Sequence, residues 1–145
     1  MKPPPEGEKI EGAQCGEQHA AQPQSAGSIL IFESQWDAFG VMDKLGWHTT
    51  QGVPDAAIII TRGAANGKIV AGLCSPSAAA YAWPQNDPPS LKTGKVPAEE
   101  WLKGVVAHAG CAVLRVATPP SFKDANAWTQ AAATADDLWQ ASSTN

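Results

Sequence analysis

Three short segments of this chain carry oxygen-bearing side chains at spacings that suit chemistry. They are Glu33-Ser34-Gln35-Trp36-Asp37, Gln85-Asn86-Asp87 and Lys123-Asp124-Ala125-Asn126. Carboxylates brought to one place repel each other unless a cation joins them. Oxygen ligands without clustered cysteine or histidine suit Mg²⁺ or Mn²⁺. Such ions stabilise the attacking and leaving oxygens of phosphoryl transfer. The candidate metal ligands are therefore the carboxylates Asp37, Asp87 and Asp124, with Glu33 a further candidate site residue. Gln85, Lys123 and Asn126 support them. Each of these residues also has a plainer reading. Glu33 suits a solvated strand end, Asp37 or Asp124 a helix N-cap, and Asp87 a turn before Pro88 and Pro89.

The elements that would position these residues are legible in the hydropathy pattern. Residues 28–33, 57–62, 78–83 and 111–117 form short apolar runs, as expected for strands of a parallel sheet buried on both faces. Between them lie helical patterns. Ala38, Val41, Met42 and Leu45 share one stripe, with Asp37 as a cap and Gly46 as a stop. A short helix is expected through residues 68–74. Pro97, Glu99 and Glu100 open a third helix, with Trp101, Leu102, Val105, Val106 and Ala109 as its apolar face and Gly110 as its end. A last helix is expected over about 125–140. Alternation of this kind implies an α/β fold with a parallel four-stranded sheet flanked by helices, and its sites form at the carboxyl ends of the strands.

In this order and spacing, ESQWD (33–37), QND (85–87) and KDAN (123–126) resemble the Toprim family, shared by bacterial-type primases, type IA and type II topoisomerases and some nucleases. The family pattern is Glu-Gly-x-x-Asp after the first strand, Asp-x-Asp after the third and, in primase-like members, Lys-Asp-x-Asn/Asp after the fourth. TRGAANG (61–67) is similar to the family's Gly-containing turn after the second strand. The resemblance covers about residues 28–142. It implies a Rossmann-like Toprim domain with Glu33 as general acid or base, and Asp87 and Asp124 holding Mg²⁺ or Mn²⁺. The implied function is a nucleotidyltransferase domain of a DNA primase-like protein in replication. The implied partners are DNA, RNA and nucleotides, together with further domains of a longer protein. A Toprim nuclease and a degenerate, non-catalytic module for nucleic acid or a partner are the alternatives. Ser34 stands where the family has Gly, and Gln85 where it has Asp. Losing that carboxylate weakens any cation site, because ligand charge supplies much of the attraction.

Composition bounds the rest. The chain has 145 residues and 43% hydrophobic residues, enough for one domain with a real core. Its net charge of −4 does not suit a domain that grips a duplex alone. Residues 1–27 are rich in Pro, Gly, Gln and Glu and read as a tail or linker. The opening segment lacks the apolar core of a signal peptide, and no apolar run approaches a membrane span, so the sequence reads as cytoplasmic. Cys15 and His19 are four apart but no second half of a zinc site accompanies them. Cys74 and Cys111 sit in apolar segments as buried thiols. No Walker-type loop is present, and the single tyrosine, Tyr81, lies inside an expected strand. Trp47, Trp83, Trp101, Trp128 and Trp139 are expected to pack. Trp36, beside Glu33, is less easily placed in a core. Arg62 and Lys68 bracket the turn at 63–67 as possible phosphate contacts.

Overall fold

The computed structural model describes residues 28–46 and 56–143. Four strands, β1 (Ser28–Phe32), β2 (Ala56–Ile60), β3 (Ala79–Trp83) and β4 (Ala112–Arg115), form one sheet in the order β2-β1-β3-β4. Every pairing is parallel. The α/β arrangement with a parallel four-stranded sheet is therefore present, and strand positions match the apolar runs to within two residues. The expected tail at 1–27, with Cys15 and His19, lies outside the described residues, as do Trp47 and His48.

Continuous apolar strands are needed where both faces are covered, as in the central strands β1 and β3; the expected burial on both faces does not extend to edge strand β4, which is only partly buried. Leu30, Phe32, Trp83 and Val116 belong to one core layer, closed by Ala38 and Val41 of α1 (Gln35–Lys44), Trp128 of α3 (Ala125–Ala131) and Leu138 of α4 (Ala135–Ser143). Ile29, Ile31, Ala80 and Ala82 belong to the opposite layer, closed by Val70, Trp101 and Val105. Residue parity along β1 thus divides the core in two, as the pleat requires. Trp101 and Val105 come from α2 (Pro97–His108), and Val70 from a 3₁₀ helix, Ala64–Val70. The Trp101 indole N–H also donates to Thr61 Oγ1 at 2.8 Å, so this fully buried ring leaves no orphaned donor.

Three helix expectations are corrected. Asp37 does not cap α1: Ser34 does, its hydroxyl accepting the Trp36 N–H at 3.1 Å, while Asp37 points inward from the first turn. The segment expected as a helix at 68–74 is the 3₁₀ helix at 64–70. Glycines at 63, 67 and 72 weaken α-helix propensity there, and Gly67 lies against the α2 backbone. The last helix is two. The chain departs from helical geometry at Ala132, and Thr134 with Asp137 starts α4 by a reciprocal box. Thr134 N donates to Asp137 Oδ2 at 2.8 Å, and Asp137 N donates to Thr134 Oγ1 at 3.2 Å. The α2 start at Pro97 and the stops at Gly46 and Gly110, both at positive φ, are as expected.

Cys74 and Cys111 pack in the second core layer as free thiols, and burial together with Cys111 pushes the Cys74 pKa up to about 11. Trp83, Trp101 and Trp128 are buried, whereas Trp139 is 42% exposed. Among the described residues, no helix is long and apolar enough to cross a membrane.

Gly67 fixes the distance between the 3₁₀ helix and α2. A Cβ there would stand 2.6 Å from Trp101 O and 2.8 Å from Val105 N, both backbone atoms that cannot turn away. Gly67→Ala is expected to cost about 1–3 kcal/mol of stability in chemical denaturation. An unchanged midpoint would mean that this contact is loose.

Candidate functional site

The strand order places the site before any side chain is considered. The connection from β1 leaves toward α1 on one face, and that from β3 leaves toward α2 on the other. Between their carboxyl ends lies the switch point where open α/β sheets form their binding crevice. Glu33 follows β1 there, and Gln85-Asn86-Asp87 follows β3.

Asp37 lies at the centre. Although 1% exposed, it carries two hydrogen bonds to its carboxylate. Gln85 Nε2 donates to Oδ2 at 3.1 Å, and the Asn126 backbone N–H donates to Oδ1 at 2.9 Å. One side chain thus links α1, the loop after β3 and the start of α3. Burial raises its pKa and these two donors oppose the rise, while the charges of Asp124 and Asp87 add to it.

Glu33 is half-buried and has a raised pKa, first from burial, then from Asp87 and Asp37. Its Oε2 is buried and has no hydrogen-bond partner. Two further buried polar atoms are unpartnered, Trp83 Nε1 and Thr118 Oγ1. All three residues stand at or just beyond the carboxyl ends of β1, β3 and β4. Buried polar atoms without protein partners are uncommon in folded proteins, and these three mark this edge of the sheet as polar.

The candidate residues are therefore brought together unequally. Glu33, Asp37 and Asp87 lie within electrostatic reach of one another, and Gln85 is hydrogen-bonded into the group. Asp124 is the N-cap of α3, its Oδ1 accepting the Ala127 N–H at 2.8 Å; its charge acts on Asp37. Asn126 contributes its backbone N–H to Asp37, while its Oδ1 accepts from Gln130 Nε2 at 3.2 Å. The Lys123 side chain is exposed, and its carbonyl accepts the Asn86 N–H at 2.7 Å.

Asn86 is the residue that sequence reasoning missed. Its Nδ2 donates to the carbonyls of Thr118, Pro119 and Phe122 at 3.1, 3.2 and 2.8 Å. It clamps the loop after β3 onto the loop after β4. Its place between Gln85 and Asp87 drew attention to the carboxylate instead. Arg62 carries a second unread signal, the lone positive φ (59°) among described non-glycine residues. Its N–H donates to Glu33 O at 2.8 Å, and its carbonyl accepts from Asn66 Nδ2 at 3.1 Å.

Among the described residues, no group of three or more carboxylate, imidazole or thiol side chains is placed to hold a metal ion. Asp37 is committed to two donors, and the charges of Glu33 and Asp87 lie near it. Mg²⁺ asks for only one or two carboxylates and keeps several waters. An ion that demands a full protein cage does not fit here. Compared with known families, curated proteins and solved structures, the chain finds no match.

The raised pKa values of Glu33 and Asp37 carry a stability consequence. The folded state holds protons that the unfolded chain releases nearer 4.5 and 3.8. Ionisation therefore opposes folding, and stability falls as pH rises through the folded-state values. In chelator, Glu33→Gln is expected to melt higher than wild type near neutral pH, and the advantage should shrink as pH falls toward 4.5. An advantage that grew on acidification would contradict the raised pKa.

Proposed function

We propose that this chain is a Toprim-type domain that uses a divalent metal for phosphoryl transfer on nucleic acid, as the nucleotidyltransferase domain of a DNA primase-like protein acting in replication. The observation that carries this reading is the gathering of Glu33, Asp37 and Asp87 at the β1/β3 switch point, with Glu33 Oε2 buried and unpartnered. The motif resemblance supports it independently, since it names these same three positions. The proposed setting is the cytoplasm, in concert with further domains of a longer protein that grip the template.

Mg²⁺ or Mn²⁺ held by Asp87, with Asp37 and Asp124 near it, would supply charge neutralisation for the phosphoryl oxygens. Glu33 does the proton work. Burial and its acidic neighbours raise its pKa, so it takes up a proton more readily than an ordinary carboxylate, as a general base toward an attacking hydroxyl requires. Asp37 is a positioning residue. It holds Gln85 and the start of α3, and thereby the loop that carries Asp87. Asp124 acts through α3, whose first turn it caps.

One observation favours the non-catalytic alternative. Gln85 neutralises part of the need for a cation, because its amide donates to Asp37 where a family carboxylate would repel it. Replacing Gln85 by Asp removes that donor and adds a second carboxylate near Asp37, a repulsion that a proton or a cation relieves.

Titration of Mn²⁺ into wild type, Gln85→Asp and Asp87→Asn, read by calorimetry and thermal shift, separates the readings. Wild type is expected to bind weakly, on the order of millimolar. Gln85→Asp should melt lower in chelator, bind more tightly and regain stability with Mn²⁺ by linkage. Asp87→Asn should fold and lose the response. Identical behaviour of all three would remove the metal site and leave the non-catalytic module.

A further inference from the structure

The most exposed large ring of the described core region is beside the carboxylates. Trp36 is 62% exposed and Phe39 52% exposed, on adjacent turns of α1. Their rings meet edge to face, with centroids 6.2 Å apart and planes at 87°. This contact sets the Trp36 ring in one orientation while leaving most of its surface to solvent. A tryptophan so placed contributes little to folding, since it stays in water when the chain is native.

Trp36 is also the shared wall of two hollows. The first, about 270 Å³, is lined by Glu33, Ser34, Gln35, Arg62 and Gly63 besides Trp36. The second, about 400 Å³, has Phe39, Lys44, Asn126, Thr129 and Gln130 among its lining residues. Each hollow joins an aromatic wall to one cation, one carboxylate (Glu33 in the first, Asp43 in the second) and amide or hydroxyl groups. Arg62 forms no ion pair with the described residues. Its backbone is held at φ 59° by hydrogen bonds to Glu33 O and from Asn66 Nδ2, which commits the residue to the Glu33 hollow. A left-handed arginine fixed from both sides at a crevice is the kind of outlier that marks a functional position.

We propose that Trp36, edge-supported by Phe39, is a stacking platform for an unpaired nucleobase, and that Arg62 receives the adjoining phosphate. The occupant is single-stranded nucleic acid. A flat ring on Trp36 uses the π-face that every base offers, and a guanidinium matches a phosphate in the neighbouring hollow. A protein partner would fit less well. The second hollow offers amide and hydroxyl groups below Trp36, whereas the centre of a protein interface calls for a well-packed, desolvated pocket. This inference rests on the proposed nucleic-acid reading but not on the metal. The platform lies on α1 and the loop after β2, and stacking needs no cation.

The test uses the whole chain, a fluorescent oligodeoxythymidine and chelator at low salt, with binding read by anisotropy. Trp36→Ala is expected to weaken binding roughly 5- to 150-fold, the loss of one base–aromatic stack, with an unchanged melting midpoint because the ring is exposed. Trp36→Phe should retain most of the affinity. Arg62→Ala should lower the slope of log affinity against log salt by about 1. A duplex of the same length should not distinguish Trp36→Ala from wild type, since its bases are already stacked. Wild type that fails to bind the single strand, or Trp36→Ala that binds it equally well, overturns the platform. So does an equal loss on duplex, or a Trp36→Ala variant whose only change is the loss of self-association in sedimentation. Intact Trp36-dependent binding in a protein that ignores Mn²⁺ would keep the platform and sink the phosphoryl-transfer reading.

Discussion

A buried carboxylate with two donors organises the carboxyl edge of this sheet. Asp37 accepts from Gln85 Nε2 and from the Asn126 backbone N–H, and so ties α1 to the loop after β3 and to α3. Burying a carboxylate is costly unless hydrogen bonds replace its water. Here the two donors do so only in part, because burial still leaves the pKa raised. The site is held together by an interaction that is itself under electrostatic load. Removing either donor leaves the charge less compensated, and adding a nearby carboxylate makes the load heavier.

That load explains the division of labour at the edge. Side chains with backbone duties are satisfied: Ser34 caps α1, Asp124 caps α3 and Asn86 clamps three carbonyls of the 118–122 loop. The unsatisfied atoms are Glu33 Oε2, Trp83 Nε1 and Thr118 Oγ1. Phe32 and Trp83, stacked with centroids 5.5 Å apart, end β1 and β3 with an apolar floor. Glu33 follows Phe32 in the chain, and desolvation leads the causes of its raised pKa. Close packing underneath keeps the floor rigid. Gly40 brings α1 against α3, where a Cβ would stand 2.5 Å from Thr129 Oγ1.

The sequence made the strands, the parallel sheet and the carboxyl-edge location legible, because runs such as ILIF and AIII with intervening helical stripes have few other solutions. It also made Glu33, Asp37, Gln85 and Asp87 legible as a group. It did not distinguish a cap from a ligand. Ser34 and Asp37 are both good N-cap residues, and the choice between them is decided by Gln85, 48 residues away from Asp37. Asp124 shows the converse, since its plain reading as a cap is the geometry found. The break between α3 and α4 was readable from Thr134 and Asp137, a box signature inside an alanine-rich run that otherwise reads as continuous helix. Asn86 and the left-handed Arg62 leave no mark in local sequence, because both depend on loops that meet only in the folded chain.

The central claim is that the carboxylates at the β1/β3 switch point form one cation-binding edge. Paramagnetic broadening of backbone amide signals by substoichiometric Mn²⁺ tests it most directly, because the effect falls steeply with distance from the ion. The account predicts selective loss of the Glu33, Ser34, Gln85, Asn86 and Asp87 amides, with those of Glu99, Glu100, Asp136 and Asp137 retained. Broadening centred on the Glu99–Glu100 or Asp136–Asp137 pairs, or spread evenly over all acidic residues, would contradict it.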